Sequence, residues 1–207
     1  MKIEQIPLDF GHREAFGRDS FMISSSNEAA VAWIDRWPEW PAPALILYGP
    51  AASGKTHLTA VWRERADEAH LIIEDIESKI GELESEETIF HQYNLAKENN
   101  TSLLITAETP PQHWNFNLPD LASRLKAAPA VEIFPPDDPL LSAMLLKLFY
   151  DRQIPVSAEI IQYILPRIER RYDAVRELVR EADRISRAEK RPITIPLISK
   201  VLEQASL

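Results

Sequence analysis

The chain has no cysteine among its 207 residues. That excludes a disulfide framework and any thiolate metal site, and it suits a reducing compartment without requiring one. Basic residues are in deficit, 23 Lys and Arg against 32 Asp and Glu for a net charge of −9. Nonspecific affinity for nucleic acid is built from clustered Lys and Arg, so this balance argues against a broad phosphate-backbone footprint, although not against local basic patches. Nowhere does an apolar run reach the roughly 18 residues of a membrane span. The N-terminal MKIEQIPLDFGHREAF carries charges where a signal peptide has its apolar run. The expectation is a cytoplasmic protein without membrane contact. The five histidines, His12, His57, His70, His91 and His113, are scattered with no pair at ligand spacing, and no structural metal is expected. No internal repeat and no low-complexity segment is found. An apolar fraction of 45% supports a globular chain, either one domain of good size or two small ones, with a core that needs no staples.

The most informative stretch is Ala44 to Leu58, ALILYGPAASGKTHL. Gly49, Gly54, Lys55 and Thr56 satisfy G-x-x-x-x-G-K-[ST], between an apolar strand and a helix-compatible segment, which is the context a P-loop requires. The glycines let the backbone curl with successive N–H groups inward, and the following helix adds its positive end, which together suit a polyphosphate. Gly49, Pro50, Ala51, Ala52, Ser53 and Gly54 form the cradle, Lys55 reaches the β/γ-phosphates and Thr56 a Mg²⁺ ion. The expected cofactors are ADP or ATP with Mg²⁺.

Upstream, Gln5 to Phe10 reads QIPLDF, extended because Pro7 disfavours helix around Ile6. It resembles the Q-x-x-L-x-F peptide by which bacterial proteins dock into the DNA-polymerase sliding clamp, with Gln5 hydrogen-bonding beside a pocket that Leu8 and Phe10 fill. The alternative is a strand or staple on the chain's own core. Next, Ser25, Ser26 or Asn27 can cap a helix whose Ala30, Val31, Trp33 and Ile34 face inward. Phe21 and Asn27 are candidates to border the adenine, with plain core packing as the alternative.

After the P-loop helix, Leu71, Ile72 and Ile73 read as a second buried strand ending in Glu74 and Asp75, the form of a Walker B motif. Carboxylates at that end of an open α/β sheet sit at the mouth where ligands bind, one holding Mg²⁺ and one orienting water. Only sixteen residues lie between Lys55 and Ile72, room for one helix. Glu77 to Glu87 is the densest acidic stretch and reads as a solvated face. Ser85 to Asn100 is an amphipathic helix, and Leu103 to Thr106 a third buried strand whose end carries Thr106 and Glu108 beside Asp75, where a γ-phosphate sensor would be. Leu118 to Leu125 precedes a fourth strand, Val131 to Phe134. Pro135 and Pro136 mark a boundary, and from Asp138 onward the pattern is entirely helical.

With QIPLDF, GPAASGKTHL, LIIEDIE, ITAETPP, DLASRL and AVRELV in one order, the chain resembles DnaA-related AAA+ proteins, more narrowly the Hda (HdaA) group. The implied fold is α/β, a P-loop AAA+ core with a shortened parallel sheet lacking one strand-helix unit, plus a small C-terminal all-helical lid. The expected division is a clamp-binding peptide at 1–12, the AAA+ domain at 13–136 and the lid at 137–207. Loss of the unit is tolerable if it removes an edge strand. The DNA-reading domain that DnaA carries is expected to be missing, since nothing follows Leu207.

The resemblance implies a regulator that, held on the clamp, makes DnaA hydrolyse its bound ATP. In that reading Arg124 of ASRL is the arginine finger supplied in trans, and Arg176 of AVRELV is the lid arginine that touches nucleotide in cis. Partners are then the sliding clamp and DnaA, with little direct DNA binding and a homodimer left open. Glu74-Asp75 and TAET depart from the DnaA pattern, so weak intrinsic turnover is expected. Two other readings stay open, an autonomous ATPase that remodels a replication complex and a clamp-docking scaffold with a degenerate P-loop.

Overall fold

A computed structural model describes residues 22–66 and 70–205. Gln5, Leu8, Phe10 and Phe21 therefore lie outside the described residues. Among the described residues no helix is long and apolar enough to cross a membrane.

Four strands form one parallel sheet in the order β2-β3-β1-β4, with β1 Ala44–Tyr48, β2 Leu71–Ile73, β3 Leu103–Ala107 and β4 Ala130–Glu132. Every residue of β3 is buried and so are Ala44 to Leu47 of β1, because these two strands are central and carry helices on both faces. Alternation divides their side chains between two cores. Ala44 and Ile46 of β1 with Leu103, Ile105 and Ala107 of β3 pack against α3 (Leu83–Asn99) and α4 (Pro119–Ala127). Leu45, Leu47 and Leu104 pack against α1 (Glu28–Asp35) and α2 (Lys55–Arg63), where Trp40 stacks on Trp62 at a centroid distance of 5.6 Å.

Three expectations need correction. The second strand is not buried: β2 is outermost, and Leu71 is 39% exposed. With one strand-helix unit fewer than a full core, the strand carrying the acidic pair has become the edge of the sheet. The fourth strand is shorter and earlier than expected. It ends at Glu132, Ile133 follows with a bond from its N–H to the Tyr48 carbonyl, and Phe134 is half exposed. Nor is α1 capped by a side chain. Asn27 occupies the cap position, but its Oδ1 accepts the Ser24 N–H at 3.0 Å and its amide donates to Met22 O, so it closes the preceding turn instead.

Four helices follow the proline pair: α5 Asp138–Asp151, α6 Ala158–Ile164, α7 Tyr172–Glu189 and α8 Ile195–Ala205. They share a core of their own, centred on Leu141, Leu145, Phe149, Ile164, Leu178 and Leu197. Side-chain caps set two starts, Asp137 accepting from Leu140 N and Ser157 from Ile160 N. Helix α7 is strongly amphipathic, with Ala174, Val175, Leu178, Val179, Ala182 and Ile185 inward and Arg-Glu and Arg-Asp pairs along its outer face.

Candidate nucleotide site

The loop between β1 and α2 is shaped by close approach. At Gly49 a Cβ would stand 2.2 Å from the Ile133 carbonyl oxygen, and at Gly54 the backbone is left-handed, with φ +101°. Only glycine meets both demands without displacing backbone. Lys55, the first residue of α2, is 8% exposed and folds its ammonium back onto the loop, donating to Gly49 O at 2.7 Å and Pro50 O at 2.9 Å. Burial lowers its pKa, and the carboxylates of Glu108, Asp75 and Glu77 oppose that shift. The Ser53 hydroxyl is buried and has no hydrogen-bond partner among the described residues. A glycine-lined cradle, a cation held at its centre and an unpaired buried hydroxyl fit a polyphosphate.

The acidic pair and the sensor stretch meet as expected. Asp75, in the left-handed region with φ 49°, donates its N–H to Thr106 Oγ1 at 3.1 Å. Thr106 is 2% exposed and its hydroxyl joins the ends of β2 and β3. Thr59 of α2 donates to Thr56 O at 2.8 Å and lies 3.5 Å from Glu74 Oε1, linking the P-loop helix to the same carboxylates. Thr56, Glu74, Asp75 and Glu108 are exposed at this end of the sheet.

The acidic stretch is a solvated face at Glu82, Glu84 and Glu87, as expected, but Glu77 and Glu86 are taken up by backbone donors. Glu77 Oε1 accepts the N–H groups of Glu108 and Thr109 at 2.8 and 2.7 Å and the Thr109 hydroxyl at 3.0 Å, holding the turn after β3. Glu86 is 0% exposed and accepts N–H groups from Gly81, Asn117 and Leu118 at 2.6 to 3.0 Å. Burial alone would raise its pKa, but those backbone bonds outweigh it and hold the carboxyl below its ordinary value. The bonds to Asn117 and Leu118 fix the approach to α4. Sequence spacing gave no sign of this, since a Glu in the first turns of a helix is ordinary dipole complementarity.

Arg124 on α4 is half-buried. Its guanidinium lies over the rings of Phe90 and Tyr93 at 4.6 and 5.5 Å and donates to Asn94 Oδ1 at 2.6 Å, all on α3. It is therefore not part of this chain's own P-loop cluster. Arg176 is half-buried one turn into α7. The first residue of that helix, Tyr172, is a site neighbour the motifs did not flag. Its N–H donates to Ala52 O at 3.3 Å, its ring edge lies 3.1 Å from a Cβ placed on Gly54, and its hydroxyl is 3.5 Å from Asn27 Nδ2. Burial raises the Tyr172 pKa, with the bond to Asn27 opposing.

The fold and its C-terminal helices have counterparts among known proteins. Residues 142–202 match the family model described as Hda, lid domain. Domain III of Thermotoga maritima DnaA superposes with a TM-score of 0.77 at 14% identity, covering 91% of this chain and 96% of that one. Aquifex aeolicus DnaA, solved with AMPPCP bound, gives 0.68 at 15% identity over 83% and 68% of the two chains. A Thermotoga maritima RuvB variant gives 0.69 at 12% identity over 91% and 72%. The fold is thus similar to that of the DnaA structures, and the helices that close it match the Hda lid.

Proposed function

We propose that the chain binds an adenine nucleotide at Gly49 to Thr56 and, docked on the sliding clamp, completes the ATPase site of DnaA by presenting Arg124 in trans. The observation that carries this reading is the setting of Arg124. Its guanidinium is seated on α3 by two aromatic faces and one amide oxygen, and it makes no contact with the chain's own P-loop. In this reading the arginine serves nucleotide brought by another subunit, where its charge would stabilise the transferring phosphoryl oxygens, an effect of about 10³ to 10⁵ in rate for trans fingers. The match of 142–202 to the Hda lid supplies the biological direction, restraint of replication initiation.

In this reading residues 13–136 form the nucleotide core and 137–207 the lid. The cradle amides and Lys55 hold the phosphates, Thr56 and Asp75 hold Mg²⁺ through the nucleotide, and Glu74 and Glu108 line the phosphate end. Asn27 and Phe21 border the base, and Arg176 reports occupancy to the lid. Bound nucleotide supplies a structural anion that keeps core and lid together. Weak turnover in cis is the expectation, because the Thr106 hydroxyl is committed to the Asp75 amide. Gln5, Leu8 and Phe10 supply the clamp contact.

Single-turnover hydrolysis of DnaA-bound ATP, with clamp loaded on DNA, tests the assignment. The wild-type chain accelerates hydrolysis, and Arg124→Ala returns it to the unstimulated rate while retaining clamp and ADP binding. Full stimulation by Arg124→Ala would remove the finger assignment.

A further inference from the structure

The sheet ends at β2, and no described strand pairs with its outer edge. Leu71 N–H donates to Ser102 O and Asp75 N–H to Thr106 Oγ1, both toward β3. Backbone groups alternate sides along a strand, so the N–H and C=O of Ile72 point away from β3 into the open edge. Beside that edge lies a groove of about 280 Å³ between β2 and α3. Buried Ile73 and Ile89 line it, with Thr88 and Gln92 nearer solvent. Apolar side chains also stand at its margins. Leu71 shares the face of Ile73 by alternation, and Leu95, one turn beyond Gln92 on α3, is 55% exposed. The exposed charge around the groove is mainly negative, from Glu74 where β2 ends and from Glu82, Glu84 and Glu87 where α3 begins. Lys79, which lines the groove, gives its ammonium to Glu74 O at 3.0 Å.

An open strand edge offers main-chain donors and acceptors to a further strand, and pockets for its alternate side chains set the choice of partner. We propose that the β2 edge and this groove bind an extended segment of another protein in which Lys or Arg alternates with apolar residues. The added strand pairs with Ile72, its apolar side chains enter the groove over Ile73 and Ile89, and its cations reach Glu82, Glu84 and Glu87. A second copy of this chain is the wrong occupant, because pairing two β2 edges brings two acidic margins together. The chain's own residues 1–21 carry four Asp and Glu against three Lys and Arg, so they lack the charge that this margin selects.

Amide NMR of the full chain, titrated with the blocked hexapeptide Lys-Val-Lys-Val-Lys-Val, tests the proposal. The controls are Glu-Val-Glu-Val-Glu-Val and Lys-Pro-Lys-Pro-Lys-Pro, the second of equal charge but unable to pair as a strand. The Lys-Val peptide shifts amides of β2 and the first half of α3, and the controls do not. Glu84→Lys combined with Glu87→Lys weakens its binding about tenfold. Ile72→Pro removes the edge donor, leaves the bond between Leu71 and Ser102 in place, and weakens binding at least as much. Should Ile72→Pro fail to fold by circular dichroism, Thr88→Trp, which fills the groove from an exposed position, shows the same loss. Equal binding of the Lys-Pro peptide overturns the strand pairing, and full binding by the double Lys variant overturns the charge selection. No shift with any peptide, or shifts away from β2 and α3, sinks the site itself. A dimer in analytical ultracentrifugation that Ile72→Pro dissociates also overturns the proposal, since the edge then belongs to a second copy.

Discussion

At the scale of single residues, two side chains carry unusual loads. Glu86 holds its negative charge in a site closed to water because three backbone N–H donors point at it. Glu86→Gln keeps the shape but swaps an acceptor for a donor facing those amides, and the cost is about 2 kcal/mol. For a chain of this length that lowers Tm by roughly 4–8 °C. The pH dependence has a definite sign. The folded pKa is depressed below the ordinary 4.5, so the stabilisation is complete above the unfolded value and is lost as pH falls through the folded one. Wild type should therefore lose stability on the acid side more steeply than Glu86→Gln, which urea melts at pH 7 and pH 3.5 would show. A variant as stable as wild type at pH 7 would mean that the amides find other acceptors. Lys55 is the second case. Its ammonium already sits inside the cradle at 2.7 Å from Gly49 O, so Lys55→Ala removes the positive charge from where phosphates would gather. Calorimetry with ADP should show at least a hundredfold loss of affinity, and retention of affinity would leave the cradle amides as the whole site. Lys55 was legible from spacing alone, whereas Glu86 was not, because two of its three partners are the backbone groups of Asn117 and Leu118, more than 30 residues away, which no side-chain pattern marks.

At the scale of elements, periodicity located the helices and the central strands, and tertiary context decided the rest. The apolar runs of β1 and β3 read as buried and are buried, since a strand flanked on both sides has no polar face to show. Leu71, Ile72 and Ile73 form an equally apolar run, yet β2 lies at the edge. Composition describes which faces a strand covers and says nothing about whether a neighbour is missing. The Asn100 stop to α3 was readable from residue type and adopts φ 54°, while Asn27 was misread because two nearby backbone groups compete for its amide. Where a cap is made, it should be measurable. Asp137 accepts from Leu140 N at the start of α5 and from the Ser25 hydroxyl at 2.8 Å, tying the lid's first helix to the segment before α1. Asp137→Ala should cost about 1 kcal/mol, read as a Tm lower by roughly 2–4 °C. Ser25→Ala, which spares the cap, should cost less, and equal losses would shift the weight from the helix end to the bridge between segments.

At the scale of the whole molecule, the proposed reading assigns three tasks to separate parts of the chain. The phosphate loop and Tyr172 join core to lid, Arg124 stands on the α3 and α4 layer with no contact to that loop, and QIPLDF precedes the first described helix. Such separation predicts that each task can be removed alone. Coupling through shared contacts falls off for sites without common partners, so variants at distant sites add. A net charge of −9 also weighs against a broad DNA-binding footprint on the chain's own surface, so in the proposed reading placement near DNA-bound DnaA comes through the clamp. Deleting residues 1–10 should then abolish binding to immobilised clamp while ADP affinity, measured on the same preparation, stays within twofold. In the hydrolysis assay the truncated chain should regain partial stimulation only when its concentration is raised about 10²- to 10⁴-fold, the range over which tethering substitutes for free concentration. Unchanged clamp binding after the deletion would eliminate the peptide as the docking element. Lost clamp binding with undiminished stimulation at low concentration would show that Arg124 reaches DnaA without the clamp's help.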